Sequence, residues 1–117
     1  MYNRKFKLWY YTISHKQMLL RSIGNGDISN LDIYFNDVLY VDLPTELDKI
    51  EILKPTQDDI NYITQRIGNT NKVITVLLSG ENKYYVVASA VKILENNLSM
   101  FELPFDIPND MGRMFNQ

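Results

Sequence analysis

Leu8-Trp9-Tyr10-Tyr11-Thr12-Ile13-Ser14-His15-Lys16-Gln17-Met18-Leu19-Leu20-Arg21-Ser22 is the stretch whose reading decides the fold. Two runs rich in Leu, Ile, Tyr and Trp flank a polar tip at residues 14–17, which is the pattern of paired strands rather than of a helix. Whether the tip has two residues or four, the pairing is the same: Ile13 faces Met18, Thr12 faces Leu19, Tyr11 faces Leu20 and Tyr10 faces Arg21. Side chains alternate between the faces of a strand, so Trp9, Tyr11, Ile13, Met18 and Leu20 share one side, the better core candidate. Leu8, Tyr10, Leu19, Arg21 and Ile23 share the other. That side is apolar as well, so the hairpin is expected to be covered on both faces and central to its sheet.

Beyond the hairpin, residues 24–30 (Gly-Asn-Gly-Asp-Ile-Ser-Asn) are dense in turn formers and read as a surface loop. Their glycines do not form a phosphate cradle, because the next segment, residues 31–35, reads as strand and not as the opening of a helix. Asn36 and Asp37 tolerate left-handed backbone and are expected to turn this strand into residues 38–43, a second hairpin. Its pairing sets Phe35 against Val38, Ile33 against Tyr40 and Asp32 against Val41. Asp32 and Tyr34 then share a face with Leu39, Val41 and Leu43, which makes Asp32 an acid in apolar company. Pro44 has no N–H for a ladder and ends the strand. A polar link, residues 45–49, leads to a short strand or extended connection at 50–53.

Residues 56–68 carry the signature of a helix. Thr56 suits an N-cap, Asp58 and Asp59 stand in the first turn where the dipole favours acids, Arg66 stands in the last, and Gly68 can close it. Ile60, Ile63 and Ile67 form its apolar stripe. Residues 72–79 and 83–93, joined by Gly80-Glu81-Asn82, form a third hairpin, and the small residues Ala88, Ser89 and Ala90 mark close packing by the helix or a bend. Pro104 and Pro108 keep the tail extended, free to cover a sheet edge or dock on a partner, and the last residues are expected to be mobile unless bound. The fold class expected is α+β: a mostly antiparallel, twisted sheet or half-barrel of six or seven strands (three hairpins) with one helix packed on it. Residues 1–117 form one domain, with 1–100 folded and 101–117 an extended tail; strand order stays open.

The chain of 117 residues is long enough for a single core without metal or disulfide staples. It has no cysteine, which excludes disulfides, thiolate metal sites and cysteine nucleophiles. A net charge of −2 and a pI near 5.3 offer no surface for tracking phosphates, so nucleic-acid binding is disfavoured. Arg4, Lys5 and Lys7 read as a solvated strand edge. No apolar run approaches the roughly 18 residues of a membrane span, and the N-terminus has no apolar signal core. A cytoplasmic protein without cofactor or metal is expected, and the frequent Asn, Ile, Lys and Tyr suit an AT-rich genome.

His15 is the natural candidate for acid–base or ligand chemistry, set against a solvated residue at a hairpin tip. Arg21 needs a cation–π partner such as Tyr10 or a bidentate carboxylate such as Asp32. Trp9, Tyr10, Tyr11, Tyr34, Tyr40, Tyr84 and Tyr85 could line a recognition platform or simply pack across strands. Glu46, Asp48 and Glu51, and Asp58 with Asp59, lack calcium-loop spacing and read as solvated surface and helix cap. No serine elbow, zinc-protease, P-loop or dinucleotide motif is present.

Leu8-Trp9 through Arg21-Ser22, followed by residues 30–35, resembles a set of small bacterial proteins of unassigned function with an LW-x-Y-x-[IV]-S-H-x-x-L-L-x-R-S … N-x-D-[IL]-x-F signature. The resemblance covers the first third of the chain, implies no activity, and singles out Trp9, Ser14, His15, Arg21 and Asp32. Three functions follow as expectations. The first is a non-catalytic protein-interaction module of immunity or antitoxin type, using Trp9, Tyr10, His15, Arg21 and Asp32 as contact residues. The second is a small-ligand binder or enzyme on which His15, Arg21 and Asp32 converge. The third is a homodimer formed through an open sheet edge.

Overall fold

Phe6, Met18, Leu20, Ile33, Phe35, Leu47, Ile50, Leu77 and Val86 come from every strand of the chain and meet in one core. The computed structural model describes residues 1–98 and 102–104. Six strands and one helix follow in order: β1 (Tyr2–Thr12), β2 (Gln17–Ser22), β3 (Asn30–Asp42), β4 (Glu46–Leu53), α1 (Gln57–Ile67), β5 (Val73–Ser79) and β6 (Asn82–Asn96). They close into an antiparallel barrel in the order β1-β2-β3-β6-β5-β4. The expected antiparallel sheet with one helix is there, but the half-barrel is a closed barrel. Closure rests on β1, which is long enough to pair twice: its first half with β4 and its second half with β2. The polar link expected at 45–49 is therefore the start of a strand, with Leu47 opposite Phe6.

Both β1 and β3 depart from the expected registers. In the first hairpin Thr12 pairs with Gln17, Tyr11 with Met18 and Tyr10 with Leu19, and the ladder then slips by one residue so that Leu8 faces Leu20 and Lys7 faces Arg21. The slip falls at Trp9, an extra residue of a β-bulge that puts Trp9 on the outer face and turns Leu8 towards the core. The assignment of Trp9 to the core side and Leu8 to the other is thus reversed. The expected second hairpin does not form. Asp37 takes a left-handed φ of 55°, yet β3 continues through it and pairs with β6 from Asn30 to Asp42. The left-handed residue bends the strand instead of reversing it. A second slip between Val38 and Tyr40 carries Val41 to the side of Val86, away from the face that holds Asp32.

The helix falls where its caps place it. Thr56 Oγ1 accepts the Asp59 N–H, the Asp59 carboxylate accepts the Thr56 N–H, and Gly68 closes the end at φ 79°. Ile63, fully buried, packs with Val76, Tyr85 and Val87 on the outer face of β5 and β6, and Tyr62 and Ile67 flank it. Ile60 stays exposed, so the stripe is narrower than its sequence spacing allows. Burial of each such aliphatic side chain contributes about 1.5–3 kcal/mol. The third hairpin forms around the tip Gly80–Glu81, with Ser79 facing Asn82. The expected extended tail falls within the described residues only at 102–104, and the expectation for residues 101 and 105–117 lies outside them.

Candidate functional site

Leu20 and Ile33 face each other inside the barrel, so the next pair along the same ladder, Arg21 and Asp32, faces outward. Both are nonetheless buried, at 1% and 0% exposure. The guanidinium meets the carboxylate as a fork: Nε donates to Oδ1 at 2.7 Å and Nη2 to Oδ2 at 3.0 Å. Asn96, on the neighbouring strand, donates its amide to Asp32 Oδ2 at 2.7 Å. Trp9 stands beside the guanidinium, with the ring centroid 5.7 Å from Cζ. The expected bidentate partner is therefore present, whereas the aromatic neighbour is Trp9 rather than Tyr10 and the residue across the hairpin is Lys7.

The cover over this pair is the chain itself. Arg21 Nη2 donates to the Glu102 carbonyl at 3.1 Å, and Asn30 Nδ2 donates to the Leu98 carbonyl at 2.7 Å. Main-chain carbonyls are held by side chains on both sides of the ion pair, so this part of the tail covers a sheet face rather than a sheet edge. Chemically the cluster is a neutralised, hydrogen-bonded ion pair. It has the geometry of a clasp, with the charge of Arg21 committed to Asp32. Asn30 and Asn96 are partners that the sequence reading missed; their positions in phase with Asp32 on strands that pair are the signal that could have found them.

His15 does not join this cluster. It lies exposed in the β1–β2 tip, where its Nδ1 lies 3.1 Å from Ser14 Oγ, which in turn lies 3.2 Å from Thr12 Oγ1. Tyr10 lies opposite Leu19 on the outer face. Of the five contact candidates, Trp9, Arg21 and Asp32 meet, while His15 stays apart at the far end of the hairpin. The basic cluster also divides: Lys5 and Lys7 are exposed, but Arg4 reaches the Ser22 and Ser29 carbonyls at 3.1 Å and 2.7 Å and ties down the loop between β2 and β3.

A second buried carboxylate stands under α1, on the wall formed by β5 and β6. Asp59, read from sequence as a first-turn helix-cap acid, is 3% exposed. Beyond capping α1 it accepts from the Tyr85 hydroxyl at 2.8 Å and from Lys83 Nζ at 3.2 Å. Burial works to raise its pKa, but the Thr56 N–H, the Tyr85 and Thr56 hydroxyls and the Lys83 ammonium together hold it down at about 2. Burial and then the bond to Asp59 push Tyr85 up to about 12. A carboxylate that stays ionised and a phenol that stays protonated transfer no protons near neutral pH, so this cluster braces the helix against the sheet. Thr-x-x-Asp at 56–59 is the capping-box pattern that foretells half of it.

A further feature is a cleft of about 320 Å³ between the hairpin and the second half of β3. Leu8, Tyr11 and Met18 form one wall and Val38, Leu39 and Val41 the other. The β2–β3 ladder ends at Phe35, and beyond it the Val38 N–H still donates to the Lys16 carbonyl at 2.8 Å before the two part. Tyr11, Leu39 and Val41 are 46%, 46% and 38% exposed. Among the described residues no group of three His, Cys, Asp or Glu side chains could hold a metal ion, and no helix is long and apolar enough to cross a membrane.

Fold and site together define a class: a closed six-stranded antiparallel barrel with a helix on one outer face, a clasped Arg–Asp pair on another, and an apolar cleft where the hairpin and β3 part. No protein-family model, curated protein or solved structure matches the chain.

Proposed function

We propose that the chain is a non-catalytic protein-interaction module, immunity-like in that it acts by occupying a partner's surface, and that the apolar cleft is its contact. The observation that carries this reading is the group Tyr11, Leu39 and Val41, large apolar side chains exposed together around one concavity. Isolated exposed apolar residues are ordinary, but a contiguous group rimming a cleft favours association. No charged side chain lines the cleft, which favours a protein over a nucleic acid. A cytoplasmic setting belongs to the same proposal, since the chain has no cysteine to exploit an oxidising one.

The alternative, a ligand-binding or enzymatic site made by His15, Arg21 and Asp32, draws less support: the ion pair is covered and internally neutralised, and the imidazole stands apart from it. A small apolar ligand in the cleft is favoured by one observation, the volume, which falls at the lower end of the range of small-molecule sites.

The test is a Leu39→Asp/Val41→Asp double variant of the full chain, compared with wild type after mild purification from the native host. Loss of a stoichiometric foreign protein from the variant, with its fold retained by circular dichroism, is the expected result. Retention of the same partner by the variant would exclude the cleft as the contact. A mass by light scattering equal to two copies would make the partner a second chain, and a bound small molecule in native mass spectrometry would favour the ligand reading.

A further inference from the structure

Asn25-Gly26 is the only place in the sequence where glycine follows asparagine. At such a step the next main-chain nitrogen carries no neighbouring side chain to hinder its approach to the asparagine carboxamide. Both residues are exposed, in the loop between β2 and β3. Gly26 has a φ of 62°, and no atom lies within 4 Å of where a Cβ would stand. Among the described residues the Asn25 carbonyl accepts the Ile28 N–H at 3.1 Å, while neither the Asn25 carboxamide nor the Gly26 N–H makes a hydrogen bond. The two groups that would react are therefore both unheld and in open space.

We infer that Asn25 is a site of spontaneous deamidation through a cyclic imide with Gly26. The Gly26 nitrogen attacks the Asn25 side-chain carbonyl carbon and forms a new C–N bond. The bond from that carbon to Nδ2 breaks, and Nδ2 leaves as ammonia with the proton that the Gly26 nitrogen gives up. Water then opens the ring. Addition at the side-chain carbonyl yields aspartate, and addition at the main-chain carbonyl yields isoaspartate, whose backbone runs through the former side chain. Nothing is oxidised or reduced, and either product adds one negative charge to the −2 of the chain.

The isoaspartate product has a structural consequence because the loop has no slack beside it. A Cβ on Gly24 would stand 1.9 Å from the Ile28 carbonyl oxygen, so the two strands of the loop are already in contact. Gly24 N–H donates to Asn30 Oδ1 at 2.8 Å, and the Ser29 carbonyl is held by Arg4. An extra main-chain carbon at position 25 forces these ties to shift, and Asn30 is also the residue that holds Leu98 over the ion pair. Loop ageing is thereby coupled to the clasp around Arg21 and Asp32.

The experiment is incubation of the full chain at mildly alkaline pH and body temperature, followed by isoelectric focusing, peptide mass mapping and labelling with an isoaspartyl methyltransferase. The expected result is a more acidic band, a mass gain of NH2-to-OH exchange confined to the peptide containing Asn25, and methyl label in that peptide. The Asn25→Gln variant should give no such band over the same time. An acidic band that persists in Asn25→Gln would overturn the assignment. So would an Asn25 peptide unchanged in the folded chain after the urea-unfolded chain has fully converted.

Discussion

Over β5 and β6 the outer wall of the barrel is covered by α1, through Ile63 and Ile67 packed on Val76, Val87 and Tyr85. Over β2 and β3 it is covered by the chain at Leu98 and Glu102, held by Asn30 and Arg21. Each wall has one buried carboxylate, Asp59 on the first and Asp32 on the second, and each has an arginine set against an aromatic ring, Arg66 on Tyr62 and Arg21 beside Trp9. The carboxylates nevertheless have different duties. Asp59 adds hydrogen bonds to an interface that apolar contact already holds, and its lysine partner is 40% exposed. Asp32 is the counter-charge of a fully buried guanidinium, so its loss leaves a charge without compensation. The helix face should degrade gradually when perturbed, and the clasp should fail abruptly.

The largest effect is expected at Asp32. Asp32→Ala strands the Arg21 charge away from water, and breaking a buried pair from one side costs about 3–5 kcal/mol. The double variant Arg21→Met/Asp32→Leu removes both charges at similar volume and should recover most of that loss. Urea unfolding of the three proteins measures both steps. If the single and double variants are equally unstable, apolar contact and not charge pairing dominates the clasp, and the contrast between the walls disappears. On the helix wall Ile63→Ala is expected to cost about 2–4 kcal/mol as a transfer and cavity loss. That loss should couple to a second substitution at Asp59, because Ile63 and Asp59 share Tyr85 as a partner.

The helix wall was the legible one. Thr56, Asp59, Arg66 and Gly68 are local signals, each read within a few residues of where it acts, and β5–β6 announces its own tip. The Arg21–Asp32 pair was legible as an expectation because a charged residue of each sign stood among apolar neighbours on adjacent strands. What was not legible depends on contacts far apart in sequence. Nothing near Trp9 marks it as a bulge; its position follows from β1 switching partners from β4 to β2. Asn36-Asp37 reads as a turn because Asp37 does adopt left-handed backbone, but β6 supplies a continuous partner that carries β3 through. Closure of the barrel, the cover over Arg21 and the Tyr85 bond to Asp59 belong to the same nonlocal class.

Acid separates the two walls more gently. The pKa of Asp59 lies at about 2 in the fold against an ordinary value of 3.8. A carboxylate whose folded pKa is depressed contributes stability that is complete above its unfolded value and is lost as pH falls through the folded one. The corresponding stabilisation is roughly 2 kcal/mol, present above about pH 4 and gone below about pH 2. Melting curves across that interval should show wild type converging on Asp59→Asn as pH falls, with the variant nearly flat over the part due to this group. Parallel curves would mean that the Tyr85, Thr56 and Lys83 bonds do not discriminate between the charged and neutral carboxyl.

The smallest effect tests the likeness between the two arginines. Arg66 lies over the Tyr62 ring at 3.5 Å from centroid to Cζ, closer than Arg21 lies to Trp9, yet it is exposed whereas Arg21 is buried. Proximity alone would make Arg66 the stronger contact. Solvent argues the reverse, because water competes for an exposed guanidinium and reduces a cation–π contact to about 0.5–1 kcal/mol. Arg66→Gln should therefore lower stability by no more than about 1 kcal/mol, and most of that difference should disappear in about 1 M salt, where screening shortens to ~3 Å. A loss that survives high salt would mean that the arginine stem, packed flat on Tyr62, matters more than its charge, and that α1 is held by apolar contact even at its last turn.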